Sequence, residues 1–301
     1  MTRNQFFRIV EMRTKIISMG TFFMASVYGY YLTKSVDWHV FIIMLLATLA
    51  VDMGTTGFNT YFDFRRGTDN KEYTEESGKV LVHEGVSPSA AFTVSAILFA
   101  IAAILGLYLA SITSWYLLVV GGICMLVGFV YTAGPFPISR TPFGEIFAGG
   151  FLGTVLFLIV LYVQGIELTY VHFLATIPLW IHIAMILSVN NTCDLVGDKA
   201  NGRKTLSILL GPAKAPYLIV VEGVIVYTTI LVLTISGIYP LLAGVINFFG
   251  FFIWLDSYKK MKKASFVAAT KEPNMGLISK AHLALVGTFI IGFLVSSFLV
   301  L

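Results

Sequence analysis

The sequence predicts an all-α membrane protein, a bundle of about nine transmembrane helices. Two observations predict it. Of 301 residues 57% are hydrophobic and only 12% charged, with a mean hydropathy of +0.85, whereas a water-soluble domain carries about 25% charged residues. The apolar residues also fall into runs of the length a bilayer requires, roughly 20 residues each. So much apolar surface exceeds what one water-enclosed core can hide, so lipid must be the solvent for most of the chain.

Nine such runs occur, at residues 16–33, 38–58, 90–110, 114–133, 144–164, 171–190, 216–236, 239–257 and 281–300. Residues 1–15 are polar and basic, and the apolar stretch from Ile16 to Leu32 is read as the first span rather than a cleavable signal, because many spans follow it. The connections alternate between short ones and longer polar ones at 59–89, 134–143, 191–215 and 258–280. With nine spans, the N-terminus and the four longer connections share one side. That side holds 19 of the 20 lysines and arginines, leaving only Lys34 opposite. The excess of basic residues marks it as cytoplasmic. A net charge of +4 is too small to suggest a nucleic-acid partner. Cys124 and Cys193 lie far apart and are expected to be free thiols.

Two of the cytoplasmic loops carry chemistry. The first reads Gly57-Phe-Asn59-Thr-Tyr-Phe-Asp63-Phe-Arg65-Arg66-Gly67-Thr-Asp69-Asn-Lys71. Asn59 and Asp63 are four apart and share a helical face; Gly67 permits a turn that folds Asp69 back toward them. The second reads Asn190-Asn-Thr-Cys-Asp194-Leu-Val-Gly-Asp198-Lys199-Ala-Asn-Gly-Arg203. Asn190, Asp194 and Asp198 are expected as an i, i+4, i+8 stripe on one helix, with Lys199 and Arg203 following. Hard oxygen ligands suit magnesium, which binds through few carboxylates together with waters and substrate phosphates. Carboxylates aimed at one point repel unless a cation lies between them, and a metal with diphosphate, flanked by Lys and Arg, satisfies every charge. Either loop alone could merely cap a helix end at the interface. Two alike on one side argue for a shared site. Asn59/Asp63 and Asn190/Asp194 also repeat an Asn-x-x-x-Asp spacing four helices apart, a faint echo of duplication.

On these motifs the sequence resembles the UbiA superfamily of intramembrane prenyltransferases over almost its full length, as a single domain, 1–301. Asn59, Asp63 and Asp69 look like that family's first motif, and Asp194 and Asp198 like its second. Arg13-Thr14-Lys15, Tyr131-Thr-Ala-Gly-Pro135 and Gly144-Glu145 point the same way. The run from Asp63 to Asp69 is similar to the 1,4-dihydroxy-2-naphthoate branch, the menaquinone-pathway enzymes. The resemblance implies a helical bundle around a central cavity in a bacterial cell membrane, with prenyl diphosphate and an aromatic acceptor as substrates and magnesium as cofactor. Asn59, Asp63, Asp69, Asn190, Asp194 and Asp198 would face the metal, with Asp63, Asp194 and Asp198 catalytic. Arg13, Lys15, Asp52, Arg65, Arg66, Lys71, Tyr131, Lys199 and Arg203 would bind substrate. Alternatives are another acceptor (4-hydroxybenzoate, homogentisate or haem) or, from a different class, a transporter, which does not explain carboxylates set in cytoplasmic loops beside Lys and Arg. The family's usual Asp after the first Asn is Thr60 here, and its Arg-Pro-Lys is Arg13-Thr14-Lys15. The missing carboxylate is expected to weaken or rearrange one metal site and leaves the acceptor open.

Other polar positions have plainer readings. Asp52, inside the second span, is expected to face the interior, because a charge at mid-bilayer costs about 2.5–3.5 kcal/mol on insertion scales. Glu222 is read as a structural partner, His172 and His182 as packing residues, and Lys259, Lys260, Lys262 and Lys263 as a contact for anionic lipid heads.

Overall fold

The computed structural model describes residues 1–72, 74, 76 and 78–299. Those residues form helices and connecting turns, with no strand among them. Ten helices matter for the site: α1 (Arg3–Ile9), α2 (Ile16–Thr33), α3 (Trp38–Arg65), α4 (Pro88–Ile112), α5 (Tyr116–Val130), α6 (Gly144–Val163), α7 (Tyr170–Cys193), α8 (Ala215–Ile235), α9 (Leu241–Ala264) and α10 (Lys271–Leu299). Seven of them, α3, α4 and α6 to α10, are long and apolar enough to cross a membrane. The apolar helices α2 and α5 fall at the first and fourth predicted positions, and α5 has 15 residues, short of the ~20 of a full crossing. The last residue of the ninth predicted span, 300, lies outside the described residues.

Local sequence sets where these helices start. The Asp37 carboxylate accepts hydrogen bonds from the His39 and Val40 amides and caps α3. Pro88 opens α4 at a position where its missing N–H costs nothing. Two helices run further than hydropathy predicts, and both extensions reach the polar side. α3 continues to Arg65, carrying Asn59 and Asp63 on its last two turns, and α10 begins ten residues earlier than expected, at Lys271.

In lipid, helices associate through close packing rather than through water exclusion. α3 packs along α4 where Gly57 meets Ser95: a Cβ at Gly57 would lie 2.2 Å from the Ser95 hydroxyl. Gly149 and Gly153 of α6 likewise seat the backbone of Trp180 on α7. The main core gathers aromatic residues such as Tyr28, Phe157, Tyr239, Phe289 and Phe293, with the last two stacked at 4.3 Å. Trp38, Trp115, Tyr116 and Tyr170 sit exposed at the helix ends remote from the two Asp loops, where an interfacial belt belongs. A second small core caps the Asp-loop side. Ile9 and Val10 of the N-terminal arm bury against Val80, Leu81 and Ala91, so the arm and the residues just before α4 pack together over the ends of α3 and α4.

Candidate functional site

A cavity of about 2070 Å³ opens among α2 to α7 and the start of α10. At one end it is lined by Asp63, Asp69, Asp194 and Asp198; at the other it reaches Leu109 and Leu117, near the far ends of α4 and α5. Between them the walls are largely apolar, so a charged mouth continues into a greasy shaft.

The first loop forms as its sequence predicts. Gly67 takes φ +71°, a backbone conformation that favours glycine. The Thr68 and Asp69 amides then both donate to the Asp63 carbonyl, at 2.9 and 3.2 Å, which returns Asp69 to the end of α3. Asn59 Oδ1 accepts a hydrogen bond from Thr132 Oγ1 at 2.6 Å.

The second loop departs from the straight stripe. α7 ends at Cys193, and the chain turns at Asp194 before the short helix Leu195–Ala200. Asn190, Asp194 and Asp198 therefore follow a bent path, although all three line the cavity. Past Ala200 the chain turns at Gly202, φ +71°, and Arg203 folds back to place Nη1 2.8 Å from Asp198 Oδ1. That short helix has ended before Arg203, and Lys199 is exposed.

Two lysines not singled out by the sequence dominate the electrostatics. Lys79 Nζ lies 3.2 Å from Asp69 and 3.0 Å from Glu11. Lys271 Nζ lies 2.6 Å from Asp194 and 2.7 Å from Glu76. Each bridges one motif carboxylate to a carboxylate outside the motifs. Burial pushes the Lys79 ammonium pKa down, but Asp69 and Glu11 more than offset this, and it sits well above its ordinary value. Burial pushes the Asp198 carboxyl up to about 6 against the pull of Arg203. The one signal that could have found the lysines was their placement on the motif side.

The remaining predicted residues separate. Arg65, Lys71 and Lys199 are exposed and do not line the cavity. The Arg66 guanidinium donates to the carbonyls of Thr132 and Gly134. Tyr131 lines the cavity, with its hydroxyl 3.4 Å from the Gly144 carbonyl. The Arg13 side chain is exposed at the rim, 3.5 Å from Glu272. Lys15 is buried, with Nζ 2.7 Å from Asp52 Oδ1 and 2.6 Å from Thr56 Oγ1, and Ser18 donates to Asp52 Oδ2 at 2.5 Å. Both Asp52 oxygens thus have partners from the protein itself. Thr60 is buried away from the cavity and donates to the Ile9 carbonyl at 2.9 Å. The position that lacks a carboxylate relative to the family pattern therefore faces the N-terminal arm, and its being threonine removes no oxygen from the cavity. Glu222 accepts a hydrogen bond from Ser188 at 2.9 Å, and His182 packs beside His282, with ring centroids 5.4 Å apart.

The donor set fits magnesium. Asp198 Oδ2 is buried without a hydrogen-bond partner, a costly arrangement that a cation would relieve. Among the described residues, no three His, Cys, Asp or Glu side chains converge into a cage. Magnesium does not require one, because it keeps waters and takes substrate phosphate oxygens alongside one or two carboxylates.

A helical membrane protein with two acidic loops meeting over an apolar shaft is the class that fold and site define. Residues 18–272 match the UbiA prenyltransferase family, and the chain belongs to that family. It is 36% identical over 202 residues to a 1,4-dihydroxy-2-naphthoate octaprenyltransferase of Bacillus subtilis, covering 67% of this chain and 65% of the relative, just under two thirds of that protein's length. A protein of the same description from Mycobacterium tuberculosis is 27% identical over 198 residues, covering 64% of this chain and 67% of that one. Among solved structures, a UbiA homologue from Archaeoglobus fulgidus bound to GPP and Mg2+ superposes with a TM-score of 0.69. It is 13% identical, covering 96% of this chain and 99% of that one, and so shows the shared fold.

Proposed function

We propose that the chain is a magnesium-dependent membrane prenyltransferase that moves a polyprenyl group from its diphosphate to 1,4-dihydroxy-2-naphthoate, giving a demethylmenaquinone-type product. The observation that carries this reading is the single cavity that joins Asp63, Asp69, Asp194 and Asp198 to an apolar shaft. The relatives named as 1,4-dihydroxy-2-naphthoate octaprenyltransferases support the acceptor. In this reading nine helices, α2 to α10, span a bacterial cell membrane with the N-terminus and both Asp loops cytoplasmic, as the 19-to-1 partition of basic residues supports.

Magnesium, held through Asn59, Asp63, Asp69, Asn190, Asp194 and Asp198, would supply positive charge to the diphosphate as it departs. Arg203, Lys79 and Lys271 stand close enough to these carboxylates to share the diphosphate charge. The prenyl tail lies in the shaft toward Leu109 and Leu117, where apolar walls keep water from the allylic carbon. The C1–oxygen bond of the donor breaks, diphosphate takes the electron pair, and the ring carbon of the acceptor that bears the carboxylate bonds to C1. Loss of the ring carboxylate as carbon dioxide restores aromaticity.

The test is a product assay. Purified protein receives magnesium, a prenyl diphosphate and a panel of aromatic acids, with products read by mass. Prenylated naphthoquinol with stoichiometric pyrophosphate is the expected result. Prenylation of 4-hydroxybenzoate with the naphthoate ignored would move the chain to another branch.

A further inference from the structure

Between the two Asp loops runs the segment from Tyr131 to Thr141, which follows α5. It is bonded to both. Toward the first loop, Thr132 Oγ1 donates to Asn59, the Arg66 guanidinium donates to the Thr132 and Gly134 carbonyls, and Arg140 Nη1 donates to Thr68 Oγ1 at 3.3 Å. Toward the second, Arg203 Nη2 donates to the Ser139 carbonyl at 2.7 Å, the Lys204 amide donates to the Arg140 carbonyl at 2.9 Å, and Arg140 Nη2 donates to the Asn201 carbonyl. Within the segment, the Ser139 amide donates to the Tyr131 carbonyl at 2.9 Å and closes it into a compact turn.

Arg140 spans the gap with a single side chain. One arm of its guanidinium holds the residue before Asp69, and the other holds a carbonyl between Asp198 and Arg203. We propose that residues 131–141 act as a brace that fixes the spacing of the two Asp-rich loops, and that Arg140 is its positioning residue. This rests on the prenyltransferase reading and adds to it what holds the two halves of the site in register. The physical reason is that the loops leave different helices, α3 and α7, and carry like charge. Repulsion between Asp63, Asp69, Asp194 and Asp198 favours their separation, while a magnesium diphosphate needs them at one fixed distance. A planar guanidinium sets that distance in a way a lysine cannot, because its donors leave in fixed directions.

The test measures binding of magnesium pyrophosphate to the purified full chain in detergent by calorimetry, alongside kinetics. In Arg140→Met the dissociation constant is expected to rise about tenfold or more, because binding must then supply the ordering of the two loops that the brace provides. The KM for prenyl diphosphate rises with it, and the KM for the aromatic acceptor stays as it was. Arg140→Lys keeps the charge and loses the fork, so it should bind as weakly as Arg140→Met. Thr68→Val removes one acceptor only and should weaken binding about threefold, which covers the case in which Arg140→Met fails to fold. Wild-type binding in Arg140→Lys, or in Thr68→Val, overturns the brace and leaves the prenyltransferase reading standing. A wild-type protein that binds no magnesium pyrophosphate overturns both.

Discussion

Lys271 Nζ lies 2.6 Å from Asp194 Oδ2 and, on its other side, 2.7 Å from Glu76 Oε1. The first residue of α10 thereby ties the second Asp loop to the connection that follows the first. Lys79 makes the same kind of bridge from Asp69 to Glu11. Asp69 and Asp194, one carboxylate from each loop, are thus each held by a lysine.

Asp194→Asn removes one negative charge from this pair and, in the proposed reaction, one magnesium ligand. Turnover should fall at least about a hundredfold, the scale seen when one preorganised electrostatic partner is removed, with unchanged yield of folded protein in detergent. Lys271→Gln should raise the KM for prenyl diphosphate more than it lowers kcat, because in the proposed reaction its charge would serve the bound diphosphate. Steady-state kinetics with released pyrophosphate as the readout check both, and near-normal activity in Asp194→Asn would remove that loop from the site.

Asp52 and Lys15 form a buried pair whose members also bond to Ser18 and Thr56. Asp52→Ala leaves the ammonium without its counter-charge and should destabilise the protein by about 3 kcal/mol. Lys15→Met combined with Asp52→Ala should recover much of the loss, because neither charge then stays buried alone. Thermal unfolding of the single and double variants measures the coupling, and additive losses would show that the pair is not a unit.

Thr60 donates to the Ile9 carbonyl and faces the N-terminal arm. Thr60→Val should cost about 1 kcal/mol of stability and leave the magnesium requirement unchanged. Thr60→Asp should destabilise more, by burying a carboxylate against a carbonyl, without strengthening metal binding. A lower magnesium requirement in Thr60→Asp would show that position 60 does reach the site.

The Asp198 carboxyl is pushed up to about 6 by burial. A cation needs it ionised, and protons compete for it below that value. The magnesium concentration giving half-maximal rate should therefore be nearly constant above pH 7 and rise as pH falls through 6. Asp198→Asn should flatten this dependence at the expense of activity. A magnesium requirement independent of pH between 5 and 7 would contradict the assignment of Asp198 to the metal.

The sequence by itself determined the membrane character, the approximate positions of the seven helices long and apolar enough to cross, the common end at which the two Asp loops lie and the Asp63–Gly67–Asp69 turn. Each is a local property: apolar run length, the placement of Lys and Arg, or a glycine where the backbone requires positive φ. Arg203 meets Asp198 as its sequence position suggests, but tertiary structure alone decided which lysines meet the carboxylates. Arg65, Lys71 and Lys199 lie nearest to the motifs in sequence and point outward, while Lys79 and Lys271 arrive from farther along the chain. The reason is directional. A side chain's heading depends on where its helix stops, and α7 stops at Cys193 while α10 starts early at Lys271. It depends as well on how Val80 and Leu81 pack on Ile9 and Val10 of the N-terminal arm. Those contacts join residues some 70 positions apart, and no spacing along the chain encodes them.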